Sequence, residues 1–540
     1  MWPKDWRATT WTRLAQPWDI VIVGGGIVGD GGLRAAAQRS WRALLVEQRD
    51  FAWGTSSRSS KFVHGGLRYL KDLDFSMAWQ SIRGRQALLQ AGPGLVTPLD
   101  FLLTRHAGGR PGRLGYELAL TLYDLFAGRR DYRRFTRAQL RRRIPDLADA
   151  DLLDSFACTE AQTDDARLTL RVLSEGLAAG GLALNYVRAE AVVREAGRVV
   201  GVQLRDQIEG RTARVSAPLV VNATGAWADQ LRGQRAEGRL IRPLRGSHLV
   251  FPARRLPVAD VVSLAHPWDQ RPVTIAPWQG VTLVGSTDVD HAGALDDEPR
   301  ITPAEAAYLM AAVDRAFPAL GLTPAEAQAS YAGIRPVINT GKRDPSKESR
   351  DHVILYDQGL VTVTGGKLTT FQAVAEDVLR SGPGRTAPAA RRSAAPALEP
   401  LRVEVDLPEP ARSRLLGRYG NRAGQVVASA RPGDLEFIPG TSALWVELRW
   451  AARHEAVMHL EDLCLRRVGL GLLLPEGGKQ LLPQVRAICQ PELGWDEARW
   501  EAEEAAYTTL WNGHYRPPDP ALIPEWRAGR PAALAPIEPA

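Results

Sequence analysis

Residues 19–47 read DIVIVGGGIVGDGGLRAAAQRSWRALLVE, and this stretch decides the fold. The four apolar residues 20–23 predict a short buried strand, and the glycine-rich segment 24–29 that follows has the form G-x-G-x-x-G. After an Ala- and Arg-rich segment of helical composition, a second apolar run at 43–46 leads into Glu47. Strand, glycine turn, helix, strand and acid is the order of a dinucleotide-binding unit.

Each part of this pattern has a physical task. Glycines allow a tight turn and a close approach of the backbone to a pyrophosphate, which then lies at the N-terminus of the helix. Glu47 follows Gly29 by 18 residues, where an acid can accept hydrogen bonds from a ribose. The sequence therefore predicts a bound dinucleotide.

Length and composition limit the class of protein. A chain of 540 residues is too long for one hydrophobic core, and 45% hydrophobic with 24% charged residues is ordinary for a soluble protein. No apolar run is long enough to span a membrane, and the N-terminus lacks the apolar segment of a secretory signal. Three separated cysteines indicate a reducing compartment, with no metal site, so we expect a cytoplasmic protein.

Two segments carry basic or aromatic residues without an obvious role. Eight of the fifteen residues 129–143 are arginines and contribute to a net charge of +7. This cluster fits a solvated helical face or an anionic membrane surface, and without a recognition motif we expect no nucleic-acid partner. Trp2, Trp6 and Trp11 fit either a membrane interface or packing on the protein's own surface.

A longer motif identifies a family. Residues 55–70 read TSSRSSKFVHGGLRYL, which follows the pattern TSS-x-S-[ST]-K-x-x-HGGLRYL. The chain therefore resembles the FAD-dependent glycerol-3-phosphate dehydrogenases, a branch of the D-amino-acid-oxidase-like flavoproteins. The resemblance implies that the dinucleotide is FAD.

Further motifs of the same family are distributed over residues 17–515. They are QTDDARL at 162–168, LVVNATG at 219–225, RGSH at 245–248, GSTD at 285–288, YAGIRP at 331–336, SRD at 349–351 and VTVTGGKLTT at 361–370. The resemblance implies an α/β multidomain fold, in which a Rossmann-like FAD-binding domain is joined to a β-rich substrate domain and a C-terminal helical cap.

The motifs and changes in composition suggest domain boundaries. We expect an N-terminal extension at 1–16 and a discontinuous FAD-binding domain at 17–100, 150–240 and 331–380. The substrate domain is expected at 101–149 and 241–330. A linker at 381–400, a helical domain at 401–515 and a poorly ordered Pro-rich tail at 516–540 complete the chain.

The resemblance also assigns residues to the cofactor. Those expected to contact FAD are Gly24, Gly26, Ile27, Val28, Gly29, Glu47, Thr55, Ser56, Ser60, Lys61, His64, Gly65, Thr224, Gly225, Gly366, Leu368 and Thr369.

The implied substrate is sn-glycerol 3-phosphate, whose phosphate dianion requires cations. Arginine binds phosphate oxygens through its fork and lysine adds a point charge. Arg68, Arg350 and Lys367 fit this task, and the resemblance places all three near the substrate. Lys367 also fits a position beside the flavin ring, where positive charge favours reduced, anionic flavin.

Oxidation at C2 requires a base and a cation beside the C2 oxygen. His248 is the leading candidate for the base, while His64 is its rival and suits a role in holding FAD. Arg335 fits the cation that stabilises negative charge on the C2 oxygen. Tyr69 and Thr287 are expected to orient the substrate.

The electron acceptor is left open by the sequence. The resemblance favours a quinone, reached by peripheral attachment to the cytoplasmic face of the membrane, and a glycerol-3-phosphate oxidase that uses oxygen is the nearest alternative. An amine or amino-acid oxidase and a non-catalytic flavin sensor are more distant alternatives. A homodimer is one oligomeric state that the sequence leaves open.

Asp30 departs from the family pattern, which has a small residue after the last glycine of the turn. A carboxylate there suits the helix dipole but would lie close to the anionic pyrophosphate. The sequence therefore predicts that Asp30→Ala tightens FAD binding.

Overall fold

The computed structural model describes residues 2, 5–66, 74–108, 112–148, 150–233, 239–342, 348, 351–381, 396–527 and 529. It has the predicted mixed α/β architecture with a helical C-terminal region. In the described ranges, no helix is both long enough and apolar enough to cross a bilayer.

The nucleotide-binding sheet has the strand order β18-β19-β11-β1-β2-β7 and is parallel except for β18. Its parallel strands are apolar without alternation because helices cover one face and a small antiparallel sheet, with the N-terminal segment, covers the other. The strands predicted at 20–23 and 43–46 are confirmed. The bounds are β1 Ile20–Val23, β2 Ala43–Val46, β7 Leu182–Leu184, β11 Val220–Asn222, β18 Val353–Asp357, β19 Leu360–Thr364, α2 Ile27–Ala37, α6 Asp165–Ala178 and α9 Phe371–Arg380.

The large sheet has the order β16-β12-β15-β14-β13-β4-β6-β3, with β17 paired to β12 and β5 to β6. The sequence-based division grouped 331–380 with the FAD-binding domain, whereas β17 pairs along its whole length with β12. The bounds are β3 Phe62–Val63, β4 Val96–His106, β5 Arg133–Thr136, β6 Leu152–Thr163, β12 Ile241–Pro252, β13 Val261–Ala265, β14 Pro272–Trp278, β15 Val281–Gly285, β16 Val289–Asp290, β17 Ala329–Ile338, α3 Phe75–Ala91, α4 Arg113–Ala127, α5 Arg137–Arg143 and α8 Pro303–Ala316.

The small antiparallel sheet packs on one face of the nucleotide-binding sheet and shares an apolar cluster with it. Its strands are β8 Val187–Glu195, β9 Arg198–Asp206 and β10 Thr212–Ser216, and the short helix α7 Ala228–Arg232 follows β11.

The C-terminal helices are joined to the nucleotide-binding unit by buried ion pairs. Asp50 pairs with Arg466 and with Arg467, both on a π-helical turn, Asp462–Arg467. Two further pairs, Arg167–Glu455 and Arg418–Asp164, each span 2.8 Å. The remaining helices are α10 Ala411–Tyr419, α11 Ala423–Ala428, α12 Trp445–His454, α13 Leu470–Leu473, α14 Leu482–Leu493 and α15 Glu497–His514.

The N-terminal segment, with helix α1 Trp6–Thr12, packs on the protein's own surface. Trp2 is buried and stacks on Phe51 at a centroid distance of 5.4 Å, and Trp18 is also buried. Of the two interpretations of these tryptophans, packing on the protein is therefore the one that the structure supports.

The described part of the C-terminal tail is also packed, so the prediction of a poorly ordered tail is wrong for residues 516–527. Ile523 is buried, and the Trp526 indole donates a hydrogen bond of 3.2 Å to Asp314 on α8. Pro-rich composition predicted disorder, but these two apolar side chains cover the end of the large sheet's core. The predicted linker lies largely outside the described residues.

The arginine cluster is engaged in ion pairs on the large sheet. Arg133 and Arg143 bind Asp100, Arg134 binds Asp154, and Arg143 also binds Asp260. Much of its charge is therefore neutralised locally, which argues against a free basic surface at this place.

Candidate active site

A cavity of about 1900 Å³ runs from the carboxyl ends of β1 and β2 to the face of the large sheet. A ligand site at the carboxyl ends of parallel strands is the expected position in an open α/β sheet. The predicted residues on its wall are Gly24, Gly26, Ile27, Val28, Glu47, Thr55, Ser56, Ser60, His64, Thr224, Gly225, Arg335, Gly366, Lys367, Leu368 and Thr369.

The glycine turn between β1 and α2 has no room for side chains. Gly24 has φ +113°, and a Cβ there would lie 2.5 Å from the Ala223 carbonyl oxygen. A Cβ on Gly29 would lie 1.8 Å from the Gly24 carbonyl oxygen, so helix and turn touch directly. Gly29 is therefore not on the cavity wall but allows the turn to close, which leaves the α2 N-terminus facing the cavity as a pyrophosphate requires.

Glu47 lies on the cavity wall at the end of β2. Its Oε2 accepts a hydrogen bond of 2.7 Å from the Gly25 amide, and its Oε1 accepts one of 2.8 Å from the Arg49 amide. Burial raises the pKa of this carboxyl, although both amide hydrogen bonds oppose the shift. The predicted acid is therefore held beside the glycine turn, where a ribose would lie, and this part of the cavity fits FAD.

The segment after β2 attaches the nucleotide-binding unit to the large sheet. The Thr55 hydroxyl donates a 2.5 Å hydrogen bond to the Ile334 carbonyl, and Ser56 Oγ accepts one of 3.0 Å from the Ile27 amide at the start of α2. Both side chains thus fix the loop while their residues line the cavity.

Lys61, predicted to contact FAD, points away from the cavity. Its ammonium group is buried, donates to Asp165 Oδ1 and to the Ser57 carbonyl at 2.6 Å each, and lies over the Trp278 and Tyr331 rings. Asp165 also accepts a hydrogen bond from the Ser59 amide. Lys61 therefore holds the loop from behind.

Gly65 is likewise off the wall and is held by a group that sequence reasoning missed. Its amide donates a 2.7 Å hydrogen bond to the buried Glu160, which also binds Arg85 at 2.7 Å and the Tyr123 hydroxyl. A Cβ on Gly65 would lie 2.0 Å from the Tyr123 oxygen. Glu160, Arg85 and Tyr123 lie on β6, α3 and α4, so no local sequence pattern predicts this cluster.

Arg335 of β17 projects onto the cavity wall and is fixed on several sides. Its guanidinium donates to the Thr287 carbonyl and to Asp288 Oδ1, both at 3.0 Å, and to Ser286 Oγ at 2.7 Å. It lies over Gly246, where a Cβ would be 2.1 Å from a guanidinium nitrogen. A fixed arginine fork therefore faces the cavity.

Thr287 differs from its predicted position. Its hydroxyl accepts a 2.8 Å hydrogen bond from the Ser247 amide and donates one of 2.8 Å to Glu305, behind the wall. Its neighbours Ser286 and Asp288 line the cavity instead. Alternation of side chains along an extended segment explains this difference, because the motif GSTD does not specify which face is turned to the cavity.

His248 lies just behind the wall. Its Nε2 is 2.8 Å from Ser60 Oγ, its ring stacks on Tyr331 at 4.5 Å, and its Nδ1 has no partner among the described residues. Burial, with the charges of Arg335 and Lys61, lowers the pKa of His248 well below its ordinary value, so the ring is neutral at pH 7. His248 therefore reaches the cavity through Ser60, which lines it.

Lys367 enters the cavity from the loop between β19 and α9. Gly365 and Gly366 have φ +76° and +79°, conformations that glycine adopts without strain. The Lys367 ammonium lies 3.4 Å from Ser81 Oγ on α3. The predicted residues Arg68, Tyr69 and Arg350 lie outside the described residues.

Several further cavity residues were missed, among them two arginines. Arg271 lines the cavity and donates to the Asp288 carbonyl at 3.1 Å, and Arg188 lines it near Glu47. Neither arginine belongs to a motif. Arg271 directly precedes β14 and Arg188 lies on β8, and the positions of these two strands bring the arginines to the cavity wall.

Asp30 lies in α2 with its carboxyl fully buried and away from the cavity wall. Neither of its carboxyl oxygens has a hydrogen-bond partner among the described residues. Burial, with the charge of Glu47 adding to it, raises the pKa of Asp30 well above its ordinary value. Because the Asp30 carboxyl is buried off the cavity wall and its pKa is raised, we do not expect it to repel a pyrophosphate, and tighter FAD binding by Asp30→Ala is no longer expected.

We expect Asp30→Ala to stabilise the fold and to leave FAD affinity unchanged. Aspartate ionises near pH 4 in the unfolded chain, whereas the raised pKa of Asp30 in the folded protein opposes its ionisation. The amount by which Asp30 lowers the free energy of unfolding therefore grows as the pH rises from about 4 toward the folded pKa. At pH 8 the variant should gain about 1–3 kcal/mol in the free energy of unfolding, because an unpaired buried polar group is removed.

Thermal unfolding of the wild type and the variant at pH 8 and pH 5 tests this expectation. Asp30→Asn is the matched control, since it keeps the shape but cannot ionise, and it should reproduce the pH-dependent part of the gain. An equal gain at both pH values would mean that ionisation of Asp30 is not the cause.

Comparisons with known proteins agree with this geometry. Residues 19–372 match the family described as FAD dependent oxidoreductase, and residues 382–500 match the C-terminal domain of alpha-glycerophosphate oxidase. Glycerol-3-phosphate dehydrogenase 2 of Mycobacterium tuberculosis is 34% identical over 98% of this chain and 95% of its own. The aerobic glycerol-3-phosphate dehydrogenase of Bacillus subtilis is 37% identical over 70% of this chain and 68% of its own.

A solved structure extends the similarity to three dimensions. The glycerol-3-phosphate dehydrogenase of Bacillus halodurans, complexed with FAD, superposes with a TM-score of 0.76 at 25% identity, over 96% of this chain and 99% of that one. The likeness thus extends over nearly the whole of both chains.

Proposed function

This chain belongs to the family of FAD-dependent glycerol-3-phosphate dehydrogenases, and from that premise we propose that it oxidises sn-glycerol 3-phosphate to dihydroxyacetone phosphate and passes the electrons to a quinone. FAD is its cofactor. The observation that carries the proposal is the meeting of the glycine turn and two cations, Arg335 and Lys367, in one cavity. When bound, FAD supplies the hydride acceptor at flavin N5.

Arg335 and Lys367 have the chemistry to bind the substrate's anionic groups. Arg335 presents its fork beside Ser286 and Asp288, and we assign it to the C2 oxygen, where negative charge develops as the hydroxyl proton leaves. Lys367 is assigned to the phosphate dianion, together with Arg68 and Arg350 from outside the described residues. Because Arg335 is held by three groups, its charge requires little reorganisation during the reaction.

His248 is the proposed base and acts through Ser60. The hydroxyl proton of C2 passes to Ser60 Oγ as Ser60 gives its own proton to His248 Nε2, over the observed 2.8 Å. The ring is already neutral at pH 7, as a base must be. In sum, C2 loses a hydride and its hydroxyl loses a proton, and the alcohol becomes a ketone.

The acceptor and the location complete the proposal. We propose a quinone rather than oxygen because the curated relatives reported above are named dehydrogenases. Oxygen remains the second candidate, since the C-terminal match carries the name of an oxidase. We also propose that the protein works at the cytoplasmic face of a membrane.

Anaerobic reduction tests the proposal. Addition of sn-glycerol 3-phosphate to the oxygen-free holoenzyme should bleach the visible flavin bands, whereas its enantiomer and glycerol should not. One half of the bleached sample is then mixed with a water-soluble quinone analogue and the other with oxygen. Fast recovery with the quinone alone supports a dehydrogenase, and fast recovery with oxygen would make it an oxidase. A flavin that stays oxidised would contradict the substrate.

A further inference from the structure

Tyr331 and His248 are neighbours on paired strands of the large sheet. His248 of β12 lies opposite Tyr331 of β17 on one side and opposite Gly285 of β15 on the other. Its ring stacks on the Tyr331 ring at a centroid distance of 4.5 Å and an interplanar angle of 7°. A Cβ on Gly285 would lie 2.1 Å from His248 Cδ2, so the imidazole occupies the space that this glycine leaves. The two neighbouring strands therefore fix the orientation of the imidazole.

Tyr331 also holds the peptide group that leads into Ser60. Its hydroxyl donates a 2.9 Å hydrogen bond to the Ser59 carbonyl oxygen. On the other side of Ser60, the Lys61 amide donates one of 3.0 Å to Ser59 Oγ. The peptide groups before and after Ser60 are thus both fixed. Tyr331 connects the Ser60–His248 pair, with its ring on the histidine and its hydroxyl on the backbone before the serine.

The Tyr331 side chain is held in a rigid, buried place and keeps its proton. It is 1% exposed, and burial, with the charge of Asp165 adding to it, raises the pKa of its phenol well above the ordinary value. Asp165 pairs with Lys61 at 2.6 Å and accepts a 2.8 Å hydrogen bond from the Ser59 amide. The Tyr331 phenol is therefore a hydrogen-bond donor at pH 7 and does not take up the substrate's proton.

Transfer of a proton through Ser60 depends on the distance between its hydroxyl and the imidazole. Ser60 Oγ and His248 Nε2 are 2.8 Å apart, within the range that proton transfer requires. A serine side chain has three staggered rotamers, and a shift of the backbone carries the hydroxyl with it. A displacement of about 1 Å at a reacting group can cost on the order of a hundredfold in rate. The pair therefore depends on side chains that set this distance.

We infer that Tyr331 is a positioning residue for the proton transfer, whose ring orients His248 while its hydroxyl fixes the backbone before Ser60. This inference deepens the proposed function and rests on it, because the Ser60–His248 pair is there assigned to removing the proton of the C2 hydroxyl. Tyr331 and Arg335 lie on the same face of β17, four residues apart. One strand thus carries both the cation for the C2 oxygen and the residue that positions the base.

Tyr331→Phe removes the hydroxyl and keeps the ring that stacks on His248. In the FAD-bound protein, the rate of anaerobic flavin bleaching at saturating sn-glycerol 3-phosphate should fall by about ten- to a hundredfold, because Ser60 is no longer held. The substrate concentration that gives half the maximal rate should stay the same, since Arg335 and Lys367 are unchanged.

Tyr507→Phe is the matched control for the loss of a buried hydroxyl. Tyr507 is also buried, and its hydroxyl donates to the Gly477 carbonyl at 2.6 Å among the C-terminal helices. This variant should bleach at the wild-type rate, although both tyrosine variants should lower the thermal unfolding temperature by a similar amount. Flavin absorbance of each purified variant shows that the cofactor is retained.

A double-mutant cycle separates positioning from a general loosening of the fold. Ser60→Ala alone should slow bleaching, and Ser60→Ala/Tyr331→Phe should be no slower, because no hydroxyl remains to be positioned. A loss in Tyr331→Phe that multiplies with the loss in Ser60→Ala would overturn the inference. A bleached wild type beside an equally fast Tyr331→Phe would refute the inference alone, whereas a wild type that sn-glycerol 3-phosphate does not bleach would refute the proposed function and the inference with it.

Discussion

Gly29→Ala should yield a protein that is purified without FAD. The new Cβ would lie 1.8 Å from the Gly24 carbonyl oxygen, a distance that no rotamer relieves. Gly24 cannot yield, because its φ of +113° and the nearby Ala223 carbonyl fix the turn. The helix N-terminus must therefore move from the place where the pyrophosphate binds, and we expect FAD affinity to fall by roughly a hundredfold or more.

Gly32→Ala is the matched control in the same helix. It is also a buried glycine, but a Cβ there would only reach the Ile22 side chain at 3.4 Å. This variant should keep its flavin through gel filtration, and the absorbance ratio of flavin to protein measures the difference. Full retention of FAD by Gly29→Ala would show that the turn can relax and that the glycine pattern is not what holds the cofactor.

Arg335→Met should reduce kcat/KM for sn-glycerol 3-phosphate about a hundredfold to a thousandfold. The variant loses a fixed positive charge beside the oxygen where negative charge develops, and a single such donor is typically worth this factor. The kcat/KM of Arg335→Lys should lie between those of the wild type and Arg335→Met, because lysine keeps the charge but loses the fork that binds Ser286 and Asp288. The rate of anaerobic flavin bleaching measures the effect without involving the electron acceptor.

Arg255→Met provides the control for the loss of an arginine, since Arg255 lies in the turn that follows β12 of the same sheet. Arg255 pairs with Glu326 on the surface, away from the cavity, and its loss should leave the bleaching rate unchanged. A wild-type rate in Arg335→Met with FAD bound would remove Arg335 from the reaction and direct attention to Arg271, another described arginine on the cavity wall.

The nucleotide-binding half of the site was predictable because its signals are local. The strands, the glycine turn and Glu47 lie within 29 residues, and each feature has one structural solution. The hydrogen bond from the Gly25 amide to Glu47 and the contact of Gly29 with Gly24 are consequences of that short pattern.

The substrate half was less predictable because its geometry depends on pairing between distant strands. The motif GSTD marked the right segment. It did not show that Ser286 and Asp288, rather than Thr287, face the cavity. On the FAD side, Lys61 belongs to a family motif, and only the approach of Asp165, 104 residues later, shows that its ammonium group points away from the cavity. The cluster around Glu160 combines three elements and has no sequence signal.

The ion pairs of Asp50 also bear on how the protein is made. Asp50 is buried, and its partner Arg466 lies 416 residues further along the chain. The ribosome releases the N-terminal part first, so the β1–β2 unit is complete long before Arg466 and Arg467 are synthesised. During most of synthesis the Asp50 carboxylate therefore has no counter-charge for its buried position. Polypeptides interrupted before the π-helical turn should therefore remain with chaperones and proteases rather than accumulate as a smaller flavoprotein.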